Sequence, residues 1–418
     1  MQSVTSAIHD AAIHGQRVIE DGPMTAPPIP ELTLVGARCL IDGALQDTPL
    51  TVRQGSIAAG DASQQLDLAG YDVLPGIIDL HGDAFEHHIA PRPTAPFPIE
   101  MGLAGTDRDA AAHGVTTAWM AQSWSWEGAA RGPDFAEEFL ATHQRLKDQM
   151  LTDLRIQIRC ETHTIDTEAR LIKAVRDYGV DYVIFNNHLD EAIEIAQKHP
   201  ERIGAWAARA QRTPDEHMGI VHATKENGPC VPRYLCNLAV AFDNLGVRYG
   251  SHDDGDARTR DYYSNIGAKI CEFPTHRSAA AIARTLGDPV LMGAPNVVRG
   301  GSQAGNISAT MLLRDGLCDA LVSDYHYPTL AQAAQALADQ GLMDFAEAWA
   351  LISTNPAQIM GLTDRGTLAP GKRADLVIRN RDTRQIEATM AAGRWSYLSN
   401  GVAHRLCQLP NALRHAAE

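Results

Sequence analysis

His81 and Asp83 stand two residues apart at the end of an apolar run, Leu74-Pro-Gly-Ile-Ile-Asp-Leu-His-Gly-Asp83. The apolar part, Gly76–Leu80, reads as a short buried strand. On a strand, residues i and i+2 point the same way, so an imidazole and a carboxylate at its end can reach one metal ion. Four more runs end in the same vocabulary. Ile156–Glu161 ends in the carboxylate Glu161, Tyr182–His188 in His188, Val247–Asp254 in His252 with Asp253 and Asp254, and Ala320–Asp324 in Asp324. Taken singly, His188 or His252 could be a satisfied core histidine, Glu161 a salt-bridge partner and Asp324 a helix cap. Taken jointly, His81, Asp83, Glu161, His188, His252 and Asp324 form an inventory for one or two divalent ions. Imidazole mixed with carboxylate fits Zn, Mn, Fe or Ni better than Ca. Glu161 could bridge two ions about 3.5–4 Å apart.

Those residues need a scaffold that gathers strand ends. After Asp72, apolar β-rich runs alternate with helical stretches, the signature of βαβ units. The runs are Gly76–His81, Val115–Ala121, Arg155–Glu161, Asp181–Asn186, Val247–Ser251, Lys269–Phe273, Pro289–Gly293 and Ala320–Ser323. Eight of them predict an α/β fold, a (β/α)8 TIM-type barrel, which keeps its active site at the C-terminal strand ends. Helices are expected over Pro133–Met150, Thr167–Tyr178 and Leu330–Gln340. The long interval Ile193–Asn244 predicts two or more helices, a loop around Gly228–Pro232 and a cover for the barrel mouth. Short β-like runs precede the barrel (Leu32–Val35, Leu50–Val52, Ser56–Ala58) and follow it (Ala374–Arg379, Ile386–Ala391, Arg394–Tyr397). They predict a small discontinuous β-sandwich domain built from both chain ends. The expected organisation is a 1–29 extension with a short helix over Ala7–Glu20, β-domain segments at 30–71 and 365–400, the barrel at 72–364 and a 401–418 tail.

A chain of 418 residues with 44% hydrophobic content can bury a large core, and its net charge of -15 argues against a nucleic-acid or anionic-membrane surface. Seven irregularly spaced cysteines show no CxxC pair and no disulfide framework, so a reducing cytoplasm is expected. Neither a signal peptide nor an apolar stretch of membrane-spanning length is visible.

The HxD of the first strand, the later Glu, His, His and Asp, and the closing Asn355-Pro-Ala with Gly366-Thr-Leu-Ala-Pro-Gly-Lys-Arg-Ala-Asp-Leu376 resemble the amidohydrolase superfamily. Within it, the chain closely resembles the phosphonate-metabolism branch. The matching segments are Leu74–Asp83, Pro91–Pro93, Arg159–Glu161, Ser251–Asp254, Glu272–Thr275, Met292–Ser302 with Gly305-Asn306, and Ser323–Tyr325. The resemblance implies a hydrolase of phosphonate catabolism. Such an enzyme would cleave the α–β phosphoanhydride of ribose 1-methylphosphonate 5-triphosphate and release pyrophosphate. It implies one or two divalent ions, zinc first with manganese or iron as alternatives. A divalent ion lowers the pKa of the water it holds toward neutrality. Asp324 would then be both ligand and the base that takes the proton. Arg92, Asn296, Arg299, Gly300, Gly301 and Ser302 would contact a small phosphorylated or phosphonate substrate. Related barrels often dimerise, which leaves a homodimer open.

Two features depart from the wider pattern. Binuclear relatives mostly carry HxH, but here the pair is HxD, and Glu161 stands where many carry a carbamylated lysine. After His188 the chain runs directly into an acidic helical pattern from Leu189, and Trp206–Arg233 is also unlike the phosphonate branch. A carbon–nitrogen hydrolase, an amidase or deaminase, is therefore the alternative. A non-catalytic metal-binding scaffold is disfavoured because all six ligand candidates are present.

Overall fold

The computed structural model describes residues 28–92, 95–210, 212–302 and 305–409. The helix expected over Ala7–Glu20 lies outside these. Among the described residues eight strands form one parallel sheet in chain order: β1 Ile77–Gly82, β2 Val115–Trp124, β3 Asp153–Glu161, β4 Tyr182–Asn186, β5 Arg248–His252, β6 Ile270–Glu272, β7 Val290–Gly293 and β8 Ala320–Val322. Helices lie between successive strands, including Pro133–Leu146, Glu168–Tyr178 and Thr329–Asp339. β2 shows why such strands form: Val-Thr-Thr-Ala-Trp-Met-Ala-Gln-Ser-Trp is buried along its whole length, as a strand covered on both faces must be. One apolar cluster packs helices onto the barrel's outside. A second, including Ile78, Leu80, Trp119, Tyr182, Ile184, Ile270, Leu291 and Val322, fills its interior.

The barrel closes between β8 and β1 at the end where the candidate ligands sit. Gly82 bridges Asp324. The Asp83 N–H donates to the Asp324 carbonyl at 2.7 Å, and the Asp324 N–H to the His81 carbonyl at 3.0 Å. Asp79, fully buried, staples the same seam. Its carboxylate accepts from the Ser323 N–H at 2.8 Å and the Ser323 hydroxyl at 2.6 Å. Gly82 permits this approach, since a Cβ there would lie 2.9 Å from both Asp79 Oδ2 and Ser323 Oγ.

Both chain ends build the flanking sandwich. One sheet holds Glu31–Val35, Leu50–Arg53, Ser56–Ala58 and Gln65–Asp67; the other holds Arg38–Ile41, Ala44–Gln46, Tyr71–Pro75, Leu376–Asn380, Ile386–Ala391 and Arg394–Leu398. Tyr71–Pro75 pairs antiparallel with Leu376–Asn380, so the strand that feeds β1 is held by one from far along the chain. Leu32, Leu34, Val52, Leu66, Val73, Leu376, Ile378 and Met390 form the core between the sheets. Within the 401–418 segment, residues up to Cys407 continue a helix, Asn400–Cys407, whose Val402 enters this core. Arg365 locks sandwich to barrel, donating to Asp153 Oδ2 at 2.6 Å and to Thr117 Oγ1 at 2.9 Å.

The interval after β4 is more helical than its sequence suggests. It holds Leu189–Lys198, Ile203–Arg209, Pro214–Lys225 and Val231–Leu245. The loop expected at Gly228–Pro232 is instead a 3-10 turn, Gly228–Cys230, running into the last helix with Pro232 in its first turn, where a missing N–H costs nothing. No helix of the described residues is long and apolar enough to cross a membrane.

Candidate metal-dependent active site

The strand ends converge on a cavity of about 1280 Å³ whose lining includes His81, Asp83, Arg159, His188, His252 and Asp324. Glu161 stands directly behind it, with Oε1 2.6 Å from His188 Nδ1 and Oε2 accepting from the His188 N–H at 3.1 Å. All six sequence-derived ligand candidates are therefore brought to one mouth. Four of them fall into two groups, and Asp83 and Asp324 stand outside both. His81 and His252 share Glu272, whose Oε2 lies 2.9 Å from His81 Nδ1 and 3.1 Å from His252 Nδ1. Glu161 and His188 share Glu127, 3.6 Å from His188 Nδ1. Each group places three ligand atoms within 4.8 Å of one another.

The electrostatics ask for a cation. Burial raises the Asp83 carboxyl above its ordinary range, and the Asp324 charge raises it further. Burial likewise raises Asp324. No ion pair among the described residues holds either carboxylate. Burial alone would lower the His81 and His188 imidazoles, but Glu272 and Glu161 raise them above their ordinary value; His252 stays low through burial. Half-buried carboxylates without an ion pair among the described residues, beside carboxylate-oriented imidazoles, fit a divalent ion by donor chemistry.

Backbone conformation aims several of these groups. Asp253, Phe273 and Asp324 each follow a strand end with positive φ, at 59°, 49° and 57°. For Phe273 this is a costly conformation. It sets the ring against both imidazoles, 5.1 Å from His81 and 4.9 Å from His252.

The anion-binding candidates are spread more widely. Asn296, Arg299, Gly301 and Ser302 line the cavity. Gly300 caps the short helix Ala294–Arg299 in the left-handed region and Arg92 is exposed; neither is part of that lining. The Asn296 side chain holds its own loop, accepting from the Ala309 N–H at 3.0 Å and donating to the Ile307 carbonyl at 3.5 Å.

Sequence reasoning gave no role to Glu272, Glu127 or Arg159. Glu272 ends β6, so the strand-end rule that found Glu161 applied to it equally. Glu127 lies in the loop after β2, where no periodicity marks it. It is fixed by Arg131 at 3.4 Å and by Trp206, whose Nε1 donates to Oε2 at 2.6 Å. The interval after β4 thus reaches the site: Trp206 holds Glu127, and the helix Leu189–Lys198 lines the cavity through Asp190, Glu191, Glu194 and Lys198.

A family model described as amidohydrolase family matches residues 246–397. The α-D-ribose 1-methylphosphonate 5-triphosphate diphosphatase of Escherichia coli (strain K12) is 30% identical over 365 residues, 84% of this chain and 95% of that protein. The chain belongs to the amidohydrolase superfamily. An adenine deaminase of Brucella anthropi is 24% identical, covering 91% of this amidohydrolase and 60% of the deaminase. Among solved structures, the β-aspartyl dipeptidase of Fervidobacterium islandicum AW-1 superposes with a TM-score of 0.60 at 15% identity, over 90% of this chain and 98% of that one. Dihydropyrimidinase from Brevibacillus agri NCHU1002 also gives 0.60, at 12% identity, over 88% and 95%. These two likenesses bear on the fold. Family membership makes the protein a hydrolase of a superfamily that generally uses divalent metals, and this mouth gathers candidate residues for holding them.

Proposed function

We propose that this amidohydrolase cleaves a phosphoanhydride in phosphonate catabolism, releasing pyrophosphate from ribose 1-methylphosphonate 5-triphosphate. The observation that carries the reading is one cavity that joins the candidate metal-holding strand ends to Arg159, Arg299 and the Gly301–Ser302 backbone. Likeness to the Escherichia coli diphosphatase over 95% of its length supports it. His81, Asp83, Glu161, His188, His252 and Asp324 would hold the metal, zinc before manganese or iron. Bound there, the ion supplies positive charge and an acidified water.

The chain's own groups do the remainder. Asp324, raised by burial, is a stronger proton acceptor than a free carboxylate and takes the proton as water attacks the α-phosphorus. The bond from that phosphorus to the bridging oxygen breaks, and pyrophosphate leaves with the electron pair. Arg299, without an ion-pair partner among the described residues, meets the outer phosphates across the cavity. A small phosphorylated or phosphonate ligand in the cytoplasm is the partner of this reading.

A carbon–nitrogen hydrolase is the second reading, favoured by one observation. Asp190, Glu191 and Glu194 line the cavity and repel a polyanion. ³¹P NMR of the metal-supplied protein with ribose 1-methylphosphonate 5-triphosphate separates the two. Pyrophosphate and a 5-monophosphate are expected; an unchanged spectrum overturns the phosphoanhydride reading and directs the search to amides. In the same assay Asp324→Asn should abolish turnover while metal stays bound, and retained turnover would remove Asp324 from the base role.

A further inference from the structure

Resting on the phosphoanhydride reading, we propose that Arg159 is the residue that grips the phosphoryl oxygens at the metal end of the barrel and so selects phosphoryl over carbonyl substrates. Arg159 lies on β3 two residues before Glu161, and its side chain lines the cavity. Only 7% of the residue is exposed. A guanidinium carries five N–H donors, and among the described residues this one makes a single side-chain hydrogen bond, from Nη2 to His252 Nε2 at 3.3 Å. Its Nε is buried with no hydrogen-bond partner, and no carboxylate among the described residues pairs with it.

Other buried arginines in this chain face a carboxylate, closely for Arg260 and Arg365 and at 3.9 Å from Asp72 for Arg379. Arg260 has Asp254 at 3.2 Å, Asp288 at 3.5 Å and Ser251 at 2.8 Å. Arg365 has Asp153 and Asp364 at 2.6 and 2.9 Å. A buried charge is normally matched in this way. Arg159 is an exception, and it sits where its charge bears on His81, Asp83, His188, His252 and Asp324 at once.

Its one bond is also in competition. A divalent ion held by His252 would compete for that lone pair and leave the guanidinium to another acceptor. The matching acceptor is a phosphoryl group, because a planar fork binds two of its oxygens at once. An amide offers one neutral oxygen and gives the fork nothing to span. Asp83, Asp253 and Asp324 on the same wall would repel a polyanion unless a fixed cation stood among them. Arg159 donates hydrogen bonds throughout, and no proton leaves it.

The test compares wild type, Arg159→Met and Arg159→Lys, each loaded with the same divalent metal and its metal content measured. Inorganic pyrophosphate binding is read by calorimetry, and pyrophosphate release from the triphosphate by ³¹P NMR. Arg159→Met should keep its metal and bind pyrophosphate on the order of 10- to 100-fold more weakly. Arg159→Lys, which keeps the charge and loses the fork, should fall between. Turnover should drop in the same order. Full-strength pyrophosphate binding by metal-replete Arg159→Met overturns the role of Arg159 and leaves the function standing. Loss of metal from both variants also overturns it, by making Arg159 a support of the metal site. If wild type neither binds nor releases pyrophosphate, the phosphoanhydride reading falls and this inference with it.

Discussion

Glu272→Gln should weaken metal binding without unfolding the protein. Glu272 is fully buried at the end of β6. Its Oε1 accepts from Gln157 Nε2 at 2.7 Å and from the Tyr182 hydroxyl at 2.6 Å. Its Oε2 faces the Nδ1 atoms of His81 and His252 at 2.9 and 3.1 Å. Both imidazoles can then carry their proton on Nδ1 and keep Nε2 as a lone pair for a metal. Glutamine has the same shape but only one acceptor oxygen. If its carbonyl faces the imidazoles, its NH2 meets the donating Gln157 amide. If its NH2 faces them, each Nδ1 must accept, the proton moves to Nε2, and the lone pair is lost to the metal.

Mutating a group that orients a metal-ligating imidazole typically costs 10- to 100-fold in metal affinity. Glu272 hydrogen-bonds His252 and lies 2.9 Å from His81 Nδ1, so the upper value is expected, about 2.7 kcal/mol. Chelator-competition titration of zinc measures this directly, with thermal melting of the metal-free protein as the control for folding. An affinity within about twofold of wild type, in a variant that melts normally, would refute the reasoning.

Three other perturbations follow from the same structure. Gly82→Ala places a methyl 2.9 Å from Asp79 and Ser323 oxygens; it should lower the melting temperature, through a loss of about 1–3 kcal/mol, together with metal affinity, since the seam also carries Asp83 and Asp324. Burial alone would raise the Asp153 carboxyl, yet its hydrogen bond from Arg155 and the charges of Arg365 and Arg373 hold it at about 2. Because the folded value lies below the unfolded one, the stabilisation is present above about pH 4 and lost as pH falls through 2; urea unfolding of wild type against Asp153→Asn should show a gap of about 2 kcal/mol at pH 6 shrinking to about half by pH 3, and a gap indifferent to pH would discount the ion pairs. Arg299→Ala should raise KM about tenfold with kcat little changed; a fall in kcat alone would place Arg299 at the reacting phosphorus instead.

The barrel was legible because its strands are buried on both faces, which leaves apolar, β-rich runs such as Val115–Ala121 alternating with helical stretches. The sandwich was less so. Ala44–Gln46 and Gln65–Asp67 are three residues each and mostly exposed, too short for alternation to register. The six ligand candidates were legible from strand ends alone, since a closed parallel barrel sends all of them to one mouth. What holds them was not. Glu127 acts from a loop, and its grip depends on Trp206, nearly eighty residues later in the chain. The Asn296 amide holds the 307–309 segment, a role that its place in a motif does not reveal. Arg159 belongs to a legible motif, but its significance lies in the partners it lacks, which only a folded interior shows.

The same reasoning applies to three turns beside the candidate chemistry. Asp253, Phe273 and Asp324 leave their strands in the left-handed region, a conformation that L side chains rarely adopt. Each persists because ladder bonds around it over-determine the chain. The Asp253 N–H donates to the Glu272 carbonyl, and the Phe273 N–H to that of Leu291, both at 2.9 Å; the Asp324 N–H donates to that of His81 at 3.0 Å. The turn at Asp324 continues the seam between β8 and β1. The turn at Phe273 sets a ring against His81 and His252. Strain held in this way stiffens ligand positions before any ion arrives. The barrel's stability therefore supports the geometry of the site, and the seam that closes the fold also positions Asp83 and Asp324.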